Sequence, residues 1–84
     1  MTVLNELEKY LIEEIAVDTD PGIKTLAPDE DLISTGLIDS LGIMKLVAFM
    51  ESTFGIKIDN EDIVPENFQN LNSLKEFVEK KRVR

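Results

Sequence analysis

The strongest chemical signal in the sequence is an aspartate–serine pair, Asp39-Ser40, which is followed by Leu41. A serine hydroxyl can accept a covalent group, but it needs a base, and the chain has no histidine to supply an imidazole. The chain has no cysteine either, which excludes disulfides, thiol nucleophiles and the usual zinc sites. A base or a thiol acting at Ser40 must therefore come from an added group or from another protein.

The same pair also has a purely structural interpretation as the start of a helix. Either side chain can accept hydrogen bonds from the free amides of a first helical turn, and the charge of Asp39 suits the positive end of the helix dipole. Taken alone, Asp39-Ser40 does not distinguish a modified serine from a helix cap.

Other groups of carboxylates carry weaker signals. Neighbouring acids such as Glu13 and Glu14 lack the pocket-forming pattern that acid–base catalysis needs, so we interpret them as solvated surface. The segment from Asp18 to Gly22, DTDPG, partly resembles a calcium-binding loop, but its glycine falls one position early and no glutamate closes the loop. We expect no metal site and no catalytic residue. An EF-hand-like domain stays an alternative that calcium-dependent spectra would reveal.

The elements that must position Ser40 begin with a helix and a long loop. Leu4, Leu7, Leu11 and Ile15 recur at helical spacing and predict a first helix from Thr2 to Ile15. Turn-forming residues then deny regular structure to much of the chain from Asp18 to Asp39. Five apolar residues should hold this loop to the core: Ile23, Leu26, Leu32, Ile33 and Leu37.

The remaining elements are two more main helices and a short one. The second helix is predicted from Asp39-Ser40 to Gly55, and the alternating segment 56–59 is an extended connection because it has no partner strand. A short helical turn is expected within 60–68, and a last helix, started by a capping box at Ser73-Leu74-Lys75-Glu76, should end near Lys81. We therefore expect an all-α, small four-helix bundle in one domain, residues 1–84, with a basic tail that frays from about residue 80. The predicted buried stripe of the second helix is Ile43, Leu46, Val47, Met50 and Phe54.

Charge and hydropathy bound the possible partners. The formal net charge is −8, and such a field disfavours nucleic acids and anionic membrane surfaces. The first residues lack the basic start and apolar run of a signal peptide, and no apolar run is long enough to span a membrane. We expect a cytoplasmic monomer that does not insert into membranes.

The surroundings of Ser40 favour modification over simple capping. The segment 31–41, DLISTGLIDSL, together with the following helix and the segment 55–58, GIKI, resembles the phosphopantetheine attachment region of acyl carrier proteins. The order of the helices is similar to that family from about Val3 to Val78. The resemblance implies that a phosphopantetheinyl transferase esterifies Ser40 from coenzyme A, with Asp39 near the metal or basic groups of the transferase.

The resemblance also implies a function. Such a protein is not an enzyme; it carries acyl or aminoacyl groups as thioesters in fatty-acid, lipid, polyketide or nonribosomal-peptide synthesis. A ligase or synthase loads it and acyl-transfer enzymes unload it. The alternative from another class is a small helical interaction module without covalent modification, and intact mass after incubation with coenzyme A and a transferase would separate the two.

The outward side of the second helix is the predicted partner face. In acyl carrier proteins this side contacts other enzymes, and Lys45 and Ser52 stand where fatty-acid carriers commonly have glutamate. That departure favours a specialised stand-alone carrier over a housekeeping fatty-acid carrier. Setting the buried stripe inward turns six residues outward: Leu41, Met44, Lys45, Ala48, Glu51 and Ser52.

Overall fold

The first helix is built in three consecutive segments. The computed structural model describes residues 2–19 and 22–82, and the helix comprises α1 (Val3–Tyr10), a π-helical turn (Leu11–Ile15) and α2 (Ala16–Thr19). The prediction of a first helix is confirmed. Its end at Ile15 is wrong, because the backbone stays helical through Thr19. Local propensity is a weak prior, and buried Ala16 ties this end to the core.

The π-helical turn follows from the spacing of the buried residues. Leu7, Leu11 and Ile15 are each four positions apart and almost wholly buried. In an α-helix, a step of four residues overshoots a full turn by about 40°, so the three side chains would drift around the helix. The wider turn, in which the Ala16 N–H donates to the Leu11 carbonyl, reduces this drift. All three side chains consequently face the same core.

The long loop is held to the helices by side-chain burial and by hydrogen bonds. Of the five residues predicted to anchor it, three are buried and Ile23 and Ile33 are partly buried against the core, which confirms the prediction. The Leu26 N–H donates to Glu8 Oε2 at 2.9 Å, and the Leu32 N–H donates to the Gln69 carbonyl at 2.7 Å. The loop therefore has a defined path between the first helix and the C-terminal half.

The second main helix, α3 (Ser40–Phe54), ends as predicted at Gly55. This glycine has a φ of 68°, in the left-handed region that side chains disfavour, and its N–H donates to the Glu51 carbonyl. The chain then runs extended, with Ile56 and Ile58 buried and Lys57 exposed. In the described ranges this segment pairs with no strand, as expected.

The C-terminal half contains a 3₁₀ turn (Asn60–Asp62), α4 (Pro65–Phe68) and α5 (Leu71–Arg82). The predicted capping box at Ser73 is wrong. The Ser73 N–H donates to Asn70 Oδ1 at 2.8 Å, so Asn70 caps a helix that begins two residues before Ser73. Asparagine is as good an N-cap as serine, and this earlier start buries Leu71.

The basic end of α5 is helical through Arg82, and the fraying expected from about residue 80 stays a prediction. Lys81 Nζ lies 2.6 Å from Asp62 Oδ2 and 3.8 Å from Asp59 Oδ2. The Lys81 ammonium also lies 5.8 Å from the centroid of the Phe77 ring. These contacts fix the last turn of α5 to the 3₁₀ turn. Residues 83 and 84 lie outside the described part.

One apolar core joins these elements, and the predicted all-α bundle is confirmed. Within residues 2–19 and 22–82, no helix is long and apolar enough to cross a membrane. The largest wholly buried side chains come from all main helices and from the loop: Leu7, Leu11, Leu32, Leu46, Met50, Phe68, Leu71, Leu74 and Val78.

Candidate functional site

The first turn of α3 presents Ser40 to solvent. Asp39 is the N-cap: its Oδ1 accepts from the Gly42 N–H at 2.9 Å, and its carbonyl accepts from the Ile43 N–H at 2.8 Å. Ser40 is the first helical residue, and its side chain is exposed. Asp39 therefore caps the helix, and the hydroxyl of Ser40 is not needed for the cap.

Gly42 lets neighbouring elements approach the turn that carries Ser40. A Cβ atom on Gly42 would lie 3.3 Å from Ile38 Cβ and 3.6 Å from Ile15 Cγ2. Both isoleucines are buried, one at the end of the long loop and one in the π-helical turn. The first helix and the loop therefore pack directly beneath the start of α3 and fix where Ser40 points.

Asp31 organises the part of the loop that precedes Ser40. Its Oδ1 accepts from the N–H groups of Ile33 and Ser34 at 3.1 and 2.9 Å, and its Oδ2 accepts from the Ser34 hydroxyl at 3.0 Å. The bonds from Ser34 hold the pKa of the Asp31 carboxyl below its ordinary value, since they favour the ionised form. Gly36, with a φ of 80°, then reverses the chain towards the cap.

The predicted partner face is only partly an open surface. Leu41 and Met44 are 64% and 57% exposed, and Ala48 and Ser52 are also exposed. Lys45 is half-buried.

Glu51 behaves differently from the other members of the face. Its Oε2 accepts from the Ile58 N–H at 2.9 Å. Glu51 is therefore half-buried, and its carboxylate contacts the extended segment after α3.

Comparison with known proteins identifies the family of this chain. The family described as "Phosphopantetheine attachment site" matches residues 5–79. The chain belongs to this family. Members are non-catalytic carriers that hold 4′-phosphopantetheine covalently, so the carrier interpretation is confirmed over the unmodified interaction module.

Individual relatives are similar over a shorter stretch. The D-alanyl carrier proteins of Streptococcus pyogenes serotype M5 (strain Manfredo), serotype M49 (strain NZ131) and serotype M1 are each 35% identical over 51 residues. The match covers 61% of this chain and 65% of each relative.

The residues at the start of α3 fit a phosphopantetheine group. Ser40 offers an exposed primary hydroxyl, which is the group that a phosphodiester link requires. It stands at the positive end of a 15-residue helix, where the first amides have no partner within the helix and an anionic phosphate is stabilised. The Asp39 carboxylate accepts from the Gly42 N–H, and the N–H groups of Ser40 and Leu41 do not take part in this cap.

The apolar stripe of α3 does not predict two contacts between α3 and the first helix. Phe49 lies on the flank of α3 that faces the first helix, partly buried against the core, and its ring stacks on that of Tyr10 with centroids 4.1 Å apart. The Tyr10 hydroxyl donates to the Lys45 carbonyl at 3.3 Å. An aromatic residue outside the buried periodicity of α3 was the signal that could have revealed this contact.

The side chains of the calcium-like segment from Asp18 to Pro21 lie outside the described part of the chain. Among the remaining, described residues, no three acidic side chains come together as a group that could hold a metal ion. Asp20 and Pro21 of that segment lie outside the described ranges.

Proposed function

We propose that Ser40 is the attachment residue and that this single domain is a stand-alone carrier of small aminoacyl groups, of which D-alanyl is the first candidate. The observation that carries the proposal is the exposed Ser40 hydroxyl, which starts α3 while Asp39 does the capping. Among the described residues no other serine is the exposed first residue of a helix, and Ser73 is half-buried within the first turn of α5. Ser34 is bonded to Asp31, and Ser52 lies near the far end of α3.

In the proposed attachment reaction the chain itself has few roles. The Ser40 oxygen forms the new bond to phosphorus of coenzyme A, adenosine 3′,5′-bisphosphate leaves, and the hydroxyl proton passes to a base of the transferase. Asp39 keeps the first turn of α3 folded, since its carboxylate accepts from the Gly42 N–H. The attached arm supplies the thiol that holds cargo as a thioester. The transferase uses coenzyme A, which favours a cytoplasmic location.

The packing around α3 supports a small cargo. Leu46 and Met50 face the core with no exposed surface, so a long acyl chain could enter between the helices only by displacing them. An aminoacyl group needs no such displacement. The similarity to D-alanyl carrier proteins points in the same direction, and so does the scarcity of acidic groups on the outward side of α3, where Lys45 and Ser52 lie.

Intact-mass spectrometry tests the attachment residue. The wild type, Ser40→Ala and the matched control Ser52→Ala are incubated with coenzyme A and a phosphopantetheinyl transferase. We expect one added phosphopantetheine on the wild type and on Ser52→Ala, and none on Ser40→Ala. Uptake by Ser40→Ala would place the attachment elsewhere.

The mass of the protein isolated from its own cells tests the cargo. We expect a thioester-bound aminoacyl group that hydroxylamine releases and that chromatography on a chiral column identifies. The second candidate is a long acyl chain sheltered beside Met50, which has the adaptable side chain such a site uses. A chain-length series of loaded proteins would then shift the methyl resonances of Leu46 and Met50 progressively, whereas an aminoacyl load would leave them unchanged.

A further inference from the structure

A groove between the first helix and α3 borders the partner face. Its volume is about 200 Å³, and the Tyr10 and Phe49 rings that line it are stacked with an interplanar angle of 16°. Both rings are partly exposed. An aromatic surface at a groove is a binding surface for flat or cationic groups. The full lining is Glu6, Lys9, Tyr10, Glu13, Glu14 and Phe49.

The electrostatics of the groove select for a cation. Three carboxylates line it against one ammonium, and Glu13 and Glu14 are both exposed. Burial raises the pKa of the Tyr10 hydroxyl, and the Glu14 carboxylate raises it further, which places that charge close to the aromatic pair. A positive group entering the groove would therefore meet carboxylates and an aromatic face together.

We propose that the groove receives an arginine side chain from the enzymes that load or unload the arm on Ser40, an inference that rests on the proposed function. A guanidinium is planar, so it stacks on an aromatic ring while its N–H groups bond carboxylates in pairs. The same aromatic cluster already contacts one guanidinium group, that of Arg82. Phe54 meets Phe49 edge-on with centroids 6.0 Å apart, and Arg82 lies 6.0 Å from the centroid of the Phe54 ring.

The position of the groove explains why such an enzyme would reach it. The Tyr10 hydroxyl is bonded to the Lys45 carbonyl, and Phe49 follows Lys45 by about one turn on the flank of α3 that faces the first helix. From Ser40 to Phe49 the helix rises about 14 Å, a distance that one docked protein spans easily. The acidic groups that are sparse on α3 are thus provided by the first helix, beside the partner face.

A titration of the apo protein tests this inference. The ¹⁵N-labelled chain is titrated with Nα-acetylarginine amide, Nα-acetyllysine amide and sodium chloride at matched ionic strength. We expect saturable shifts centred on Glu13, Glu14 and Phe49, with the arginine amide binding about two- to fivefold more tightly than the lysine amide. Phe49→Leu, which keeps an apolar side chain, should remove that preference.

Charge variants provide the matched control. The double variant Glu13→Gln/Glu14→Gln should weaken arginine amide binding about threefold or more, whereas Glu66→Gln/Glu76→Gln removes the same charge from exposed positions elsewhere and should leave it unchanged. Equal effects of the two double variants, unsaturable shifts or equal affinity for both amides would each overturn the inference. Shifts that depend on protein concentration alone would identify a second copy as the occupant and would also overturn it.

These tests distinguish a failure of the proposed attachment at Ser40 from a failure of the proposed arginine binding in the groove. The titration uses the protein without its arm, so its result stands whether or not Ser40 is modified. Intact mass reports on the arm, and a wild type that binds arginine amide but takes up no phosphopantetheine would refute attachment alone.

Discussion

Replacing Asp39 and Ser40 one at a time should separate the structural role from the chemical one. Asp39→Ala removes the carboxylate that accepts from the Gly42 N–H at 2.9 Å, and loss of such a cap costs about 1 kcal/mol, within a range of about 0.5–2. Ser40→Ala removes a side chain that does not cap, and alanine is the better helix former, so its effect should stay within about 0.5 kcal/mol.

Urea denaturation followed by circular dichroism measures the difference. For a small protein with a slope of about 1 kcal/mol per M, Asp39→Ala should lower the midpoint by about 1 M, and Ser40→Ala should scarcely move it. Asp39→Asn is the matched control, because asparagine caps as well as aspartate and should restore most of the loss. A larger destabilisation by Ser40→Ala than by Asp39→Ala would refute the assignment of the cap.

Three further predictions concern other parts of the chain. Gly55→Ala should destabilise the fold by about 1–2 kcal/mol, measured by the same unfolding assay, since its φ of 68° lies in the left-handed region; an unchanged midpoint would contradict this. The hydrogen bond with Lys81 lowers the pKa of Asp62. The stabilisation by this bond is therefore present above the ordinary aspartate pKa and is lost as the pH falls through the lowered value. Lys81→Met should reduce that acid dependence of stability and raise the Asp62 pKa measured by ¹³C NMR. Fatty-acid condensing enzymes should use the loaded wild type poorly, whereas Lys45→Glu/Ser52→Glu should improve turnover, most at low salt; efficient turnover of the wild type would restore a housekeeping role.

The sequence predicted the features that depend on periodicity and on one local residue. The spacing of Leu7, Leu11 and Ile15 predicted a helix because every one of these side chains is buried. Glycine at position 55 predicted the end of α3 because few other residues adopt that backbone conformation. The Asp39-Ser40 pair located the start of α3, although only the structure shows the hydrogen bond that makes Asp39 the cap.

The features that escaped prediction depend on contacts between distant segments. Nothing near Glu51 in the sequence indicates that its carboxylate accepts from the N–H of Ile58 across the turn that follows α3. Asn70 and Ser73 are both competent caps, and burial of Leu71 is what selects the earlier one. Likewise nothing near Lys81 in the sequence indicates that its ammonium pairs with Asp62, which lies on another element.

The π-helical turn makes the first helix unusually able to lose a residue. Deleting one position from an ordinary helix rotates everything before it by about 100° and misplaces the buried side chains. Residues 11–15 occupy a turn wider than an α-turn, so deletion of exposed Glu13 would let that stretch tighten while Leu7 and Ile15 kept their neighbours. The first helix thus contains one residue more than an α-helical path needs, directly beneath the start of α3. A chain one residue shorter in this turn should keep Ser40 in the same position.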